Sequence, residues 1–122
     1  MITESMDVTG RAGCTVRAFA QVTGVSLEWA NGIAAAAGRR KGRGFYSWKL
    51  IDYAKTVGYK FRKLRMKPRT LARFLREHPA GRYYLVRSRH AFAVVDGNVL
   101  TMMVRARTRV LIAWQYIGEP KS

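Results

Sequence analysis

The spacing of apolar residues changes once along this 122-residue chain, and that change restricts it to one fold class. In the first half, apolar side chains recur every three or four residues, the period of an amphipathic helix. In the second half they form short runs of strand character. Val16, Phe19, Ala20 and Thr23 predict a first helix over 13–23, stopped by Gly24. A second follows Ser26 as N-cap, with Glu28 in its first turn and Leu27, Ala30, Ile33, Ala34 and Ala37 inward, and ends at Gly38. A third starts from Ser47 as cap, turns Leu50, Ile51, Ala54 and Val57 inward and stops at Gly58. Residues 59–66 then read as a half-buried strand through Tyr59, Phe61, Leu64 and Met66. Pro68 can occupy the first turn of a short helix bearing Leu71, Phe74 and Leu75 and ending before Pro79. Four β runs follow, at 82–88, 90–95, 98–104 and 109–117. Helices first and an antiparallel sheet last define an α+β domain.

Composition sets the scale and the setting. The length suits one domain over 1–122, with 1–12, poor in apolar residues, as a loosely held arm. Apolar residues make up 48% of the chain, enough for a core without covalent staples. One cysteine forms no internal disulfide and builds no cysteine-rich zinc site, which points to a reducing compartment. Two histidines and that cysteine show no ligand spacing, so no metal is expected. The glycine-rich stretch 38–44 lacks the Gly-Lys-Ser or Gly-Lys-Thr ending of a phosphate-binding loop, and no cofactor is expected. No run is long enough to cross a bilayer, and the first residues lack the basic start and apolar stretch of a signal peptide; the expected location is the cytoplasm.

Charge is the second strong feature. Lys and Arg number 23 against 7 Asp and Glu, a formal net charge of +16. Such a field steers nucleic acid, acidic protein surfaces or anionic polymers toward the chain. The candidate partner-binding cations are Arg39, Arg40, Lys41 and Arg43 in the glycine-rich loop and Lys60, Arg62, Lys63 and Arg65 on the following strand; Lys67, Arg69, Arg105, Arg107 and Arg109 add to the total. The same distribution also suits a solvated face. Trp29, Trp48 and Trp114 read as core residues, although Tyr46, Tyr59 and Phe61 are interleaved with cations.

Chemistry enters with Cys14, at the start of the predicted first helix, and His90, which opens a strand-like run. A helix N-terminus and a neighbouring imidazolium both favour the thiolate, the nucleophilic form of cysteine. A thiol on a helix start and a base on a strand are the parts of a papain-like site. The bland reading stands beside this one, since a cysteine next to an apolar stripe also serves as a small buried hydrophobe. Asp96-Gly97 predicts a two-residue hairpin, which sets Val94 opposite Val99 and His90 opposite Met103, with Thr101 diagonally adjacent. Asp96 lies six residues from His90, about 20 Å along a strand, too far to orient the imidazole. His78 reads as a helix-end residue near the final carbonyls.

The runs Gly-Cys-Thr-Val-Arg-Ala-Phe-Ala at 13–20, Thr-Gly-Val-Ser-Leu-Glu-Trp-Ala at 23–30, Gly-Arg-Arg-Lys-Gly-Arg-Gly at 38–44 and Gly-Arg-Tyr-Tyr-Leu-Val-Arg-Ser-Arg-His-Ala-Phe-Ala-Val-Val-Asp-Gly at 81–97 resemble small phage and prophage proteins of the papain-like cysteine peptidase superfamily. The chain is also similar to the peptidase domains that trim bacteriocin leaders, and the likeness spans most of 12–115. The resemblance implies a papain-like fold and a hydrolase of peptide or isopeptide bonds, with Cys14 as nucleophile and His90 as general base. It also implies action in the host cytoplasm or association with the virion, on an acidic protein or peptide substrate or on a host or virion protein. Two positions depart from the family pattern. Thr101 stands where an Asp or Asn usually follows the histidine, and no Gln precedes Cys14 to complete the oxyanion hole, Gln21 lying about two helical turns beyond it. A slow or inactive enzyme fits these departures. The alternative is a non-catalytic basic module on the same scaffold that binds nucleic acid, an acidic host protein or a virion component.

Overall fold

The computed structural model describes residues 10–40 and 43–120, with side chains from residue 13 onward. Lys41 and residues 1–9 of the expected arm lie outside the described residues. Among the described residues four helices are present: α1 (Gly10–Thr23), α2 (Leu27–Ala36), α3 (Ser47–Thr56) and α4 (Leu71–Glu77). The strands are β1 (Phe61–Lys63), β2 (Arg69–Thr70), β3 (Arg82–Arg87), β4 (His90–Val95), β5 (Asn98–Val99), β6 (Arg109–Val110) and β7 (Ile112–Tyr116). Five of them form an antiparallel sheet in the order β1-β7-β3-β4-β5, and β2 pairs with β6 in a small separate ladder. The chain is an α+β protein.

Strand parity sorts the core into two compartments. On one face of the sheet, Tyr84, Ala91, Ala93, Trp114 and Tyr116 pack against Val16, Phe19 and Val22 of α1, with Ala30 and Ala34 of α2 and Leu50, Ile51 and Ala54 of α3 behind them. On the other face, Tyr83, Leu85, Phe92, Val94 and Ala113 pack against Leu71 and Phe74 of α4. The sheet is therefore covered on both sides by helices.

Local rules account for most boundaries. The Trp29 N–H donates to Ser26 Oγ at 3.0 Å, the cap expected for α2. Ser47 does not cap α3; Tyr46 holds that position with no side-chain bond, and Ser47 Oγ lies 2.8 Å from the Tyr84 hydroxyl instead. Pro68 precedes α4 without entering it, and Thr70 supplies the cap by accepting the Arg73 N–H. Asp96 and Gly97 take φ of 50° and 81°, the left-handed pair of a tight hairpin, and give the expected register of Val94 opposite Val99.

Four elements differ from the sequence reading, one of them the run expected over 109–117, which splits into β6 and β7 in separate sheets. Helix α1 begins at Gly10, so residues 10–12 of the expected arm form its first turn and Cys14 sits in the second. The strand expected over 59–66 is paired only at Phe61–Lys63: Tyr59 and Phe61 enter the first core while Leu64 and Met66 pack on the second. Phe61 and Leu64 differ in parity, so ordinary strand alternation sends the first into the α1 compartment and the second, whose N–H donates to the Ala113 carbonyl, into the α4 compartment. Finally, β5 stops at Val99 rather than 104, so the cross-strand pair of His90 with Met103 does not form; Met102 and Met103 are exposed.

Candidate functional site: a thiol and imidazole cleft

Cys14 is buried on the sheet-facing side of α1, and the Ala91 N–H at the start of β4 donates to its Sγ at 3.4 Å. As the fifth residue of the helix, Cys14 lies beyond the four positions whose N–H groups lack an intrahelical acceptor. Its amide belongs to the helix ladder. That corrects the expectation of a cysteine at the helix start: the thiol lies past the first turn, where the dipole acts most strongly, and its own N–H is not presented to an oxyanion.

His90 is the first residue of β4 and is buried. Its ring stacks on Phe92 at 6.0 Å between centroids with 10° between planes, so it shares the α4-side face, whereas Ala91 beside it faces α1. The imidazole and the sulfur therefore approach the end of β4 from opposite faces of the sheet. Thr101 Oγ1 lies 3.5 Å from His90 Nε2, the long limit of a hydrogen bond, and itself accepts the Met103 N–H at 3.2 Å. Burial, and then the Arg87 and Arg17 cations, hold the imidazole below its ordinary pKa.

Cys14 and His90 line one cleft of about 820 Å³. Its walls include Phe45, Tyr46, Ser47 and Trp48 from the entry to α3, Val86, Ile112 and Trp114 from the sheet, and the cations Lys63, Arg87 and Arg89. No carboxylate is among these described lining residues. Behind Cys14 a polar lattice fixes the α3 entry: Thr15 Oγ1 donates to the Phe45 carbonyl at 3.0 Å, and the Tyr84 hydroxyl donates to the Thr15 carbonyl at 3.3 Å. Complete burial raises the Tyr84 pKa above its ordinary value, so the phenol stays protonated.

The aromatic wall corrects a second expectation. Trp114 is buried, but Trp48 is 53% exposed, Trp29 is 63% exposed, and Tyr46 is likewise exposed at the cleft mouth. Tyr46 and Trp48 stack at 6.3 Å, Lys49 Nζ lies over both rings, and Lys63 Nζ lies 6.0 Å over Trp114. A helical-wheel count holds the signal for this: at 100° per residue, Trp29 and Trp48 stand roughly 100° from the mean of the buried stripe of their own helices. Arg87 carries no such signal, because only strand pairing sets it opposite His90, whereas Arg89 precedes His90 directly in the sequence.

The remaining sequence candidates are dispersed. Arg39 Nε donates to the Arg43 carbonyl within the glycine-rich loop, and Arg40 and Arg43 are exposed. Lys60 and Arg62 are exposed on the edge at β1, Arg62 donating to Gln115 Oε1, and Arg65 is exposed just beyond. Of the seven candidate cations among the described residues, only Lys63 lines the cleft. Asp96 accepts the Gly81 N–H through Oδ1, away from the cleft, and the Gln21 backbone carbonyl accepts from Arg82; neither residue lines the cleft. His78 caps the C-terminal end of α4 as expected, its N–H donating to the Phe74 carbonyl at 2.9 Å, while its ring packs on Phe74 and Tyr83.

Among the described residues no group of three or more His, Cys, Asp or Glu is placed to hold a metal ion, and no helix is long and apolar enough to cross a membrane. The molecule belongs to the class of α+β proteins in which a cysteine and a histidine share a basic, aromatic-walled cleft. No family model matches the chain, and neither a curated protein nor a solved structure matches it.

Proposed function

We propose that this protein is a thiol hydrolase of peptide or isopeptide bonds, built on a papain-like plan of the kind its sequence resembles in phages, with Cys14 as nucleophile and His90 as base. The observation that carries this reading is the Ala91 N–H to Cys14 Sγ contact at 3.4 Å, which ties the sulfur to the residue directly after His90 inside a cleft that both residues line. The Thr101 hydroxyl, 3.5 Å from Nε2, can accept from this nitrogen, and in that tautomer Nδ1 keeps its lone pair for the thiol proton. A base held below its ordinary pKa is neutral at pH 7 and ready to accept that proton.

In the first half-reaction the imidazole and the sulfur, which reach the end of β4 from opposite faces, draw together as the cleft that both line closes on the substrate; Nδ1 then removes the thiol proton and the sulfur adds to the substrate carbonyl. Collapse of the tetrahedral adduct breaks the C–N bond, and the imidazolium returns its proton to the leaving amine. Water, deprotonated by His90, then hydrolyses the thioester to a carboxylic acid and regenerates the thiol. Without the Cys14 amide as an oxyanion donor the rate is low, since losing one such donor costs about a hundredfold or more. The test is iodoacetamide alkylation at neutral pH. Cys14 should label, and His90→Ala should slow labelling at least about tenfold with circular dichroism unchanged, within the range of a single acid–base group. Equal rates in the two proteins would sink the hydrolase.

A second reading, a non-catalytic binding module for nucleic acid, an acidic host protein or a virion component, is favoured by the exposed Tyr46 and Trp48 pair beside cations at the cleft mouth. Aromatic faces interleaved with cations bind stacked bases without any nucleophile. Unchanged alkylation in His90→Ala together with salt-sensitive binding of single-stranded DNA would favour this reading.

A further inference from the structure

We infer that the substrate of this cleft carries an acidic flank, with carboxylates at alternate residues on one side of the bond to be cut, and that this flank docks along residues 63–67. The inference rests on the hydrolase reading and adds the chemistry of the substrate to it.

Beyond β1 the chain borders a second groove, of about 700 Å³, lined by Lys63, Leu64, Arg65, Met66, Lys67 and Arg69. Four of these six are cations. Arg69 is held by Glu77, to which it donates, while Lys63, Arg65 and Lys67 are exposed. Leu64 and Met66 between them are partly buried against the second core. Strict alternation of exposed cation and inward aliphatic is the pattern of an extended chain, in which every second side chain projects the same way at a repeat of about 6.6 Å. An extended peptide with Glu or Asp at every second residue presents carboxylates at the same repeat.

Lys63 joins this groove to the catalytic cleft, since it lines both. A peptide whose scissile carbonyl lies at Cys14 therefore has a continuous cationic track leading out past Lys63 to Arg65 and Lys67. Within the groove the apolar lining is aliphatic, suited to peptide side chains. A run of nucleobases calls instead for aromatic platforms, which lie at the cleft mouth. Individual exposed ion pairs contribute little, so selectivity comes from matching several at once and weakens as salt rises.

The experiment is fluorescence anisotropy on the Cys14→Ser protein, so that binding is read without turnover. Three labelled probes of equal length are compared at one ionic strength: a peptide alternating Glu with Ser, a peptide of the same composition with all Glu in one block, and oligothymidine. The alternating peptide should bind at least about threefold tighter than the block peptide. Arg65→Gln with Lys67→Gln should weaken it about tenfold, while Arg105→Gln with Arg107→Gln, an equal loss of charge elsewhere, should change it less than about twofold. Equal losses in the two double variants, no preference between the peptides, or tighter binding of oligothymidine would each overturn the inference. Cys14 alkylation in the corresponding proteins with Cys14 intact reads the hydrolase separately. Loss of the His90 effect with the peptide preference retained removes the chemistry but leaves the acidic ligand; loss of the preference with the His90 effect retained removes only the acidic flank.

Discussion

The Ala91 N–H and the Cys14 sulfur meet at 3.4 Å across 77 residues of sequence, and this contact joins α1 to the start of β4 where the cleft opens. It makes the thiol part of the seam between helix and sheet, so the reactivity of Cys14 and the docking of α1 are properties of the same junction.

Thr101 offers the most direct handle on His90. A hydroxyl 3.5 Å from Nε2 stabilises an imidazolium weakly, whereas a carboxylate at that position opposes the Arg87 and Arg17 cations and favours the charged ring. Thr101→Asp should therefore raise the pKa of His90 by about one unit, read by nuclear magnetic resonance titration of the ring protons. It should also speed Cys14 alkylation. A titration curve identical to that of the parent would mean that residue 101 does not act on this ring.

Acid should destabilise the protein in two separate windows. The His90 pKa is lowered in the folded chain, so the unfolded chain takes up this proton first; stability is unaffected above about 6.5 and falls as pH drops from there to the folded value. Arg69 and Arg73, through hydrogen bonds, lower the Glu77 pKa below 4.5, so its stabilising contribution is complete above 4.5 and disappears as pH falls through the folded value. Urea midpoints measured across both windows should show His90→Gln flattening only the upper one and Glu77→Gln only the lower. If His90→Gln leaves the upper slope intact, the loss belongs to another group.

Tyr84 ties the cleft wall to the core. It is fully buried, lies 2.8 Å from Ser47 Oγ and donates to the Thr15 carbonyl. Tyr84→Phe keeps the ring and removes the hydroxyl, leaving its partners short of a bond at a cost of about 1–3 kcal/mol. Chemical denaturation should show that loss, and alkylation of Cys14 should change as the α3 entry loosens. A change under about 0.5 kcal/mol, within the range of ordinary surface substitutions, would show that these bonds are replaced by water.

What was legible in the sequence was largely local. The Ser26 cap and the Asp96-Gly97 turn depend on neighbouring residues, and both formed with the expected partners. The first turn of α1 has little local mark, because residues 10–12 begin with the poor helix former Gly10 and carry no large apolar side chain to extend the stripe. Trp29 and Trp48 were assigned to the core by residue type, when their angular offset from the stripe carried the better information. The early exit of β5 has no local mark: Leu100 still donates to Ala93, yet the chain then turns away so that Thr101 comes to His90 and two methionines face outward. That path is set by tertiary packing, which pattern reading along one segment does not contain.

The stretch from Phe61 to Leu64 bears on how the molecule comes apart. Within four residues one short stretch inserts side chains into both hydrophobic compartments, so neither can open without dragging on its neighbour. The two layers should melt in one concerted transition, and a ligand gripping that stretch would brace the entire molecule against heat.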